Sequence, residues 1–333
     1  MQFTSRRRVR GAAAVAAAVL IPLSLAACGD SDESAGGGDY TSDLTMGTGS
    51  TGGVYYPLGQ EYANLFVGNI DNDDLDVSAV ETGASVENIA KISRGELQLG
   101  ISQTNTAIDA VNGEGEFEDS AVDNVAFMGK LYPEAAQVIT LESTGIDSIE
   151  DLEGKRIAIG PPGGGTRQAA EAILDAYGIE DFKPLEEGFD DARSKLQDGN
   201  ADASIEILGV PASGLEELDA TTGEVKLIPI EGKELDDIVD NTQFEEYELT
   251  PEHYEFLDEP VQTISVFAAM YGSTDQISED LGYELTRVMY EHAGDLTLAQ
   301  GELISKDEAT LGRGEVPLHP GTERYLEEQG LLD

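Results

Sequence analysis

Two rhythms of apolar and polar positions alternate along most of the chain after Leu44. Short runs of β-branched and aliphatic residues, typical of strands, are followed by segments with the 3.6-residue period of a helix. The first helical segment has its apolar face at Leu58, Tyr62, Leu65 and Phe66. This repeated strand-then-helix order predicts an α/β architecture in which the strands are mainly parallel.

Five such units follow one another without the fixed period that would make them a sequence repeat. The units contain the segments "DLTMGTGSTGGVYYPLG", "LDVSAVETGASVENIAKISRG", "LQLGISQTNTAIDAVNG", "KRIAIGPPGGGTRQAAEAILDAYG" and "DASIEILGVPASGLEEL". In the fourth unit, Thr166 is predicted to cap the start of the helix and Gly178 to end it.

The turns between strand and helix are unusually rich in Gly, Ser, Thr, Gln and Asn. In open α/β sheets, ligands bind at such turns, beyond the carboxyl ends of the strands. Helix N-termini present free backbone N–H groups and the positive end of the helix dipole, so several that converge would bind an anion without basic side chains. A small carboxylate is therefore the expected ligand. The alternative is that these residues serve only turn conformation and capping.

The N-terminus carries four arginines within its first ten residues, then an uncharged, alanine-rich run that ends in "LAAC" at Cys28. This order predicts an exported lipoprotein. We expect residues 1–27 to be removed as a signal peptide, Cys28 to be lipidated, and residues 28–40 to form a flexible tether. The protein would then lie outside the cytoplasm, anchored to the outer face of the cell membrane or in a periplasm. A signal peptide with an accidental cysteine and an uncleaved anchor are the alternatives.

The chain has 66 acidic residues against 19 lysines and arginines, and its formal net charge is −47. Loss of residues 1–27 would remove four arginines and no acids, which would lower the charge to −51. Such an acidic chain is not expected to bind nucleic acid. The acidic run at residues 71–76 lacks the pattern of a calcium loop, so we interpret it as a solvated face and predict no metal site. The self-repulsion of these charges points to a salt-rich external medium.

Two glycine-rich segments invite a nucleotide interpretation, which their context disfavours. "GTGSTG" has the G-x-G-x-x-G spacing, but an exported protein meets no NAD pool, and the nearby acids do not follow a clear second strand. "GPPGGGT" lacks the lysine of a P-loop. We therefore expect no cofactor.

Taken together, "GTGSTGGVYYPLG", "ETGASVENIAKISRGELQLGISQT", "LEGKRIAIGPPGGGT", "LQDGNADA", "GVP" and "PLHPGTERYLEEQG" resemble the motifs of the TAXI family. These are the substrate-binding proteins of tripartite ATP-independent periplasmic (TRAP) transporters, and the resemblance spans essentially the whole chain after Cys28. It implies a two-lobed, type II periplasmic-binding-protein fold, each lobe a mainly parallel sheet flanked by helices. It also implies two partners: a small carboxylate such as glutamate, glutamine, an oxoacid or a dicarboxylate, and an ion-gradient-driven membrane permease, commonly with its two membrane subunits fused.

The same resemblance divides the chain into lobes. Residues 41–139 and 264–333 would form the first lobe, and residues 140–263 the second. The segments "AAQVITLE" and "VQTISVFAAMYG" would cross between them, so that closure would be a hinge motion about these two crossings.

The cleft residues that the resemblance implies come from both lobes. Backbone and hydroxyl groups would bind carboxylate oxygens, Tyr55 would cover the apolar part of the solute, and the amides of Gln103 and Asn105 would accept or donate. The full set of expected ligand-binding residues is Ser50, Thr51, Gly53, Tyr55, Thr82, Ser85, Gln103, Asn105, Pro162, Gly163, Thr166 and Glu206.

Two charged side chains near this set have open alternatives. Glu206 stands where the family usually has an aromatic residue. It would pair with a ligand ammonium group if it faces the cleft, but it would be one more surface acid if it faces solvent, and we favour the solvent-facing orientation. Arg167 could bind a carboxylate directly, although an arginine in the first turn of a helix is more often exposed.

An enzyme is not expected. The sequence has neither G-x-S-x-G nor H-E-x-x-H, and its three histidines, His253, His292 and His319, are scattered. We interpret His319, in "PLHPG", as a capping or packed histidine. An extracytoplasmic hydrolase and an adhesive or sensory surface lipoprotein are the alternatives to a solute-binding protein.

Overall fold

The computed structural model describes residues 39–332, which form ten strands and nine α-helices. The strands are β1 (Asp43–Gly47), β2 (Asp76–Val80), β3 (Leu99–Gln103), β4 (Val125–Leu141), β5 (Arg156–Ala158), β6 (Lys183–Leu185), β7 (Ala203–Gly209), β8 (Val225–Ile228), β9 (Glu245–Leu249) and β10 (Val261–Ser273). The helices are α1 (Tyr55–Asn69), α2 (Ser85–Ser93), α3 (Thr104–Asn112), α4 (Gly165–Ala176), α5 (Phe189–Gln197), α6 (Ser213–Thr222), α7 (Gly232–Asn241), α8 (Glu279–Glu291) and α9 (Pro320–Glu328).

The predictions for the N-terminus concern residues that are almost entirely outside this range. The signal peptide, Cys28 and the tether up to residue 38 lie outside the described residues. Between residues 39 and 332, no helix combines the length and the apolar character that a membrane span requires.

Three consecutive strand–turn–helix units build the first part of the sheet. β1 lies between β2 and β3 and pairs with both in parallel, and α1, α2 and α3 follow the three strands in turn. β3 then pairs antiparallel with β10, and β10 pairs antiparallel with β4. The order along this part is therefore β2-β1-β3-β10-β4.

The second part of the sheet repeats that order with different strands. β5 lies between β6 and β7 and pairs with both in parallel, with α4, α5 and α6 after the three strands. β7 pairs antiparallel with β4, which also pairs with β8. The strand order β6-β5-β7-β4-β8 in this part therefore corresponds to the order β2-β1-β3-β10-β4 in the first part.

Two long antiparallel strands belong to both parts. β4 pairs with β10 over its first half and with β7 and β8 over its second half, while β10 pairs with β9 at its start and β3 at its end. These strands contain the two predicted crossings. The chain therefore has the expected α/β, two-lobed, type II periplasmic-binding-protein fold. The sheet is mixed: the pairings within β2-β1-β3 and within β6-β5-β7 are parallel, whereas every pairing made by β4 and β10 is antiparallel.

The buried face of each helix follows the sequence periodicity. On α1, Leu58, Tyr62 and Phe66 are almost completely buried, whereas Leu65 is half-buried. On α4, the stripe through Ile173 packs into the core of the second part. Complete burial of such a side chain contributes roughly 1.5–3 kcal/mol, so these faces hold the helices against the sheet.

The limits of α4 differ from the prediction at one end. Gly164 is the N-cap and no side chain caps this helix, so Thr166 is not the capping residue. The Thr166 side chain packs instead against Gly160, where an added Cβ would lie 2.8 Å from the Cβ of Thr166. Gly160 also has a φ of +82°, which favours glycine. Gly178, with a φ of +69°, lies just beyond the end of the helix, as predicted.

Candidate functional site

The carboxyl ends of the parallel strands in both parts face one cavity. The turns after β1 and β2 and the end of β3 form its first wall, together with Glu134 of β4. The turn after β5, the start of α5 and two residues of β7 form its second wall. The expected location of the ligand site is thus where the strand-to-helix turns converge.

The cavity is small, and apolar atoms form most of its lining. Its volume is about 30 Å³, which holds roughly two water molecules and is too small for an amino acid. The two walls must therefore separate to admit a solute. The lining residues are Gly49, Ser50, Gly53, Val54, Tyr55, Gly83, Ala84, Ser85, Gln103, Glu134, Pro161, Gly164, Gly165, Thr166, Phe189, Ile207 and Leu208.

Backbone amide groups are the donors that the architecture supplies here. Helices α1, α2 and α4 begin at the cavity, and none of the three has a side chain that caps its first turn. The N–H of Glu87 in α2 donates to Gly163 O, and Pro57 in α1 has no N–H. The other N–H groups of the first turns and the positive ends of the dipoles remain available to an anion. Among the described residues that line the cavity, none is lysine, arginine or histidine.

Gln103 joins the two walls. Its backbone N–H donates to Ser85 Oγ at 3.1 Å, which fixes the end of β3 against α2. A Cβ added at Gly165 would lie 2.1 Å from Gln103 Oε1, so the side-chain amide reaches the N-terminus of α4 only because residue 165 is glycine. Within residues 39–332, Gln103 Oε1 is buried without a hydrogen-bond partner. It is therefore an acceptor available to a ligand.

Glu134 is the acidic group of the cavity. It is 2% exposed, and Tyr55 Oη donates to its Oε2 at 2.9 Å. Burial raises the pKa of the Glu134 carboxyl to about 8, although the hydrogen bonds from Tyr55 and Gln103 act in the opposite direction. Burial also raises the pKa of Tyr55 well above its ordinary value, with Glu134 adding to the shift.

Half of the predicted ligand-binding residues line this cavity. They are Ser50, Gly53, Tyr55, Ser85, Gln103 and Thr166. Tyr55 both lines the cavity and packs in the core.

Three other predicted residues lie behind or beside the lining. Thr82 is buried behind it and donates to Thr48 O at 3.1 Å, while its oxygen accepts from the backbone N–H of Ala84. Asn105 is buried and donates to Gln168 Oε1 at 3.1 Å. Thr51 lies at an outer edge, where its hydroxyl meets Asp190 Oδ2 at 3.3 Å. These side chains support the turns from which the lining residues project.

Pro162 and Gly163 lie on a second cavity, of about 230 Å³, next to the first. Gly163 O accepts a hydrogen bond from the backbone N–H of Glu87, so this turn is fastened to α2. Arg167 also lines the second cavity, is partly exposed, and pairs with Glu171 and Glu186.

The favoured orientation of Glu206 was wrong. Its side chain is completely buried on β7, and Arg193 Nη2 donates to Glu206 Oε2 at 2.5 Å. Ser204 Oγ donates to the other carboxylate oxygen at 3.1 Å. Burial raises the pKa of the Glu206 carboxyl, and Arg193 opposes that shift. The Glu206 side chain is completely buried and is not part of the cavity lining, so it faces neither solvent nor the cavity.

His319 has the capping role that the sequence predicts. It is completely buried at the start of α9, its Nδ1 accepts from the backbone N–H of Gly321 at 3.2 Å, and its Nε2 lies 3.2 Å from Ile277 O. Burial lowers its pKa to about 4, so it is neutral at physiological pH. The residues from 39 to 332 contain no group of three or more His, Cys, Asp or Glu side chains placed to hold a metal ion.

Four lining residues were not predicted from the sequence: Glu134, Phe189, Ile207 and Leu208. Glu134 interrupts an otherwise apolar segment, "KLYPEAAQV", and a charged residue inside a buried strand is the one signal that could have identified it. The other missed residues have ordinary core-like patterns and carry no such signal.

The strand order and the cavity define a two-lobed α/β protein of the type II periplasmic-binding class. The chain belongs to the NMT1-like family, whose model matches residues 46–330.

Solved structures with similar folds include several binding proteins. The alkanesulfonate-binding protein SsuA from Xanthomonas axonopodis pv. citri, bound to MOPS, is 18% identical over 86% of this chain and 84% of its own, with a TM-score of 0.48. A putative L-cystine ABC transporter protein from Listeria monocytogenes is 13% identical over 80% and 98%, with a TM-score of 0.48. The GluR0 ligand-binding core from Nostoc punctiforme, in complex with L-glutamate, is 16% identical over 76% and 93%, with a TM-score of 0.45.

Proposed function

We propose that this protein is an extracytoplasmic solute-binding protein that captures a small carboxylate between its two walls and delivers it to a membrane permease. The observation that carries the proposal is the convergence of three uncapped helix N-termini on one cavity. Free N–H groups and aligned dipoles bind a carboxylate without a basic side chain. Membership of the NMT1-like family and the two-lobed fold are consistent with this role.

The TAXI-like motifs favour a TRAP-type permease with fused membrane subunits as the partner. On this basis the cleft residues at Ser50, Gly53 and Ser85 bind the carboxylate, and Tyr55 covers the rest of the solute. The lobes divide at residues 139–140 and 263–264, and the walls separate by bending of β4 and β10. Lipidation of Cys28 would hold the protein at the membrane surface, next to its permease.

A hydrolase is less consistent with the site. Catalysis would need a nucleophile with a base within hydrogen-bond reach. The acidic residue at the cavity, Glu134, instead accepts a hydrogen bond from the hydroxyl of Tyr55. An adhesive or sensory lipoprotein would not need a cavity between two walls.

A thermal-shift screen tests the proposal. The purified protein in high salt is heated with amino acids, dicarboxylates, oxoacids and sugars, each with and without calcium. A ligand that binds only the folded protein raises the unfolding midpoint as its concentration increases. We expect a rise with one or two small carboxylates. No shift with any compound, from protein confirmed to be folded and ligand-free, would contradict the proposal and favour the adhesive or sensory role.

A further inference from the structure

Glu134 has a negative charge without a partner when it is ionised. Its carboxyl is buried at the cavity, and the described lining residues include no cationic side chain. Two buried cations of the described residues pair with other acids: Arg193 with Glu206 and Lys130 with Glu308. A buried charge without a counter-ion is costly, so this carboxyl favours a cationic group that a ligand brings with it.

A second acceptor lies in the same cavity. Gln103 Oε1 is buried and lacks a partner in the described part of the chain, and the Gln103 side chain is within hydrogen-bond reach of Glu134. The helix N-termini around the same cavity supply only donors. The cavity therefore offers donors for an anionic group and acceptors for a group that donates hydrogen bonds.

We propose that Glu134 and Gln103 determine specificity by binding the protonated amine of the ligand, so that the protein selects α-amino acids over the matching 2-oxo acids. The proposal rests on the proposed function, because it concerns the same cavity. A 2-oxo acid would offer only a carbonyl acceptor, which could accept from the protonated Glu134 carboxyl but would leave Gln103 Oε1 without a donor. A dicarboxylate would place a negative charge beside both groups. Neither ligand supplies the donor and positive charge that Glu134 and Gln103 can bind together.

Binding would also move a proton. The titratable groups that face Glu134 are Tyr55 from α1 and Tyr132 from β4, while the cavity residues of α2, α4, α5 and β7 carry no charge. With a pKa near 8, the carboxyl holds its proton in the ligand-free protein at pH 7. An ammonium group favours the ionised form, so each bound amino acid releases up to one proton from Glu134 to solvent.

Calorimetry on matched ligand pairs tests this inference. L-glutamate with 2-oxoglutarate, L-alanine with pyruvate, and L-leucine with 4-methyl-2-oxopentanoate are titrated at pH 7 into the wild type. The tightest pair is then repeated with Glu134→Gln and Glu134→Asp, with Glu259→Gln, at an exposed position, as the matched control. Buffers of different ionisation enthalpy give the number of protons released.

In the wild type and in Glu259→Gln, we expect the amino acid to bind roughly tenfold or more tightly than its oxo partner, with proton release. Glu134→Gln is expected to lose both the preference and the proton release, whereas Glu134→Asp retains part of each. Equal binding of both partners, a preference for the oxo acid, or an unchanged Glu134→Gln variant would overturn the inference but leave the proposed function intact. Binding of none of these compounds, nor of any in the thermal-shift screen, would overturn both.

Discussion

At the scale of single residues, the Arg193–Glu206 pair shows how the interior stabilises the site. Both side chains are buried, and Arg193 Nη1 also donates to Gly52 O at 3.1 Å, in the turn after β1. The guanidinium of Arg193 therefore connects Glu206 of β7 to the first wall of the cavity.

Replacing one member of this pair should lower the stability more per substitution than replacing both members together. Arg193→Met or Glu206→Gln leaves one buried charge without its partner and should lower the free energy of unfolding by about 3–5 kcal/mol. The double variant should cost clearly less than the sum of the two single changes, because no charge is left uncompensated. Urea unfolding at pH 7 measures all three. Strict additivity would show that the two side chains do not depend on each other.

Glu134 should make stability depend on pH in a specific direction. Its pKa in the folded protein, about 8, lies above its ordinary value of 4.5, so the native state keeps a proton that the unfolded state loses. The wild type should therefore lose stability relative to Glu134→Gln as the pH rises from about 4.5 to 8, by on the order of 3 kcal/mol. Urea unfolding at pH 5 and pH 8 compares the two, with Glu259→Gln as control. A constant difference would mean that the carboxyl titrates normally.

At this scale, the positions of Ser85 and Gln103 could be predicted from the resemblance to the TAXI family. Both residues lie where strands end and helices begin, and the sheet brings such turns together at the cavity. Glu134 and the orientation of Glu206 were not found, because both depend on which face of a long strand is buried and on partners far along the chain. Arg193 is 13 residues from Glu206, and no pattern in either segment links them.

At the scale of elements, the start of α5 is fastened to the turn after β1. Thr51 meets Asp190, Arg193 donates to Gly52, and a Cβ at Gly52 would lie 2.8 Å from the backbone N of Asp190. The close approach of the two walls at this edge therefore requires glycine at position 52.

Gly52→Ala should hold the walls apart. The added methyl group clashes with backbone that cannot rotate away, so we expect a larger radius of gyration in small-angle scattering and at least roughly tenfold weaker ligand binding. Gly68→Ala is the matched control, because a Cβ there meets nothing within 4 Å. An unchanged affinity in Gly52→Ala would show that closure at this edge does not contribute to binding.

The elements themselves were largely predictable, because apolar period distinguishes strands from helices and glycine marks their ends. All five units predicted from the sequence are present. The antiparallel pairings of β4 and β10 were not predictable from period, because buried strands of either direction have the same apolar composition. The short strand β6 and its following helix were missed for a related reason: Lys183–Leu185 has too few residues to show a pattern.

At the scale of the whole molecule, the net charge of −47 sets the conditions under which the fold is stable. Repulsion among exposed carboxylates disfavours the compact state, and salt shortens its range from about 10 Å at 0.1 M to about 3 Å at 1 M. We expect the melting temperature to rise steeply as sodium chloride increases from 0.1 M to 1 M and above. Differential scanning calorimetry measures it, and a flat response would contradict the expectation of a salt-rich medium.

The central claim is that a small solute binds between the two walls at the N-terminus of α4. Its most direct test is equilibrium dialysis of the tightest radiolabelled ligand from the thermal-shift screen with wild type, Gly165→Val and Gly294→Ala. A side chain at position 165 would displace the Gln103 amide and occupy the cavity, whereas a Cβ at position 294 meets nothing within 4 Å. We predict saturable binding of one ligand per chain in the wild type and in Gly294→Ala, and loss of binding in Gly165→Val while its melting temperature stays close to that of the wild type. Equal binding by all three proteins would place the ligand elsewhere and contradict the claim.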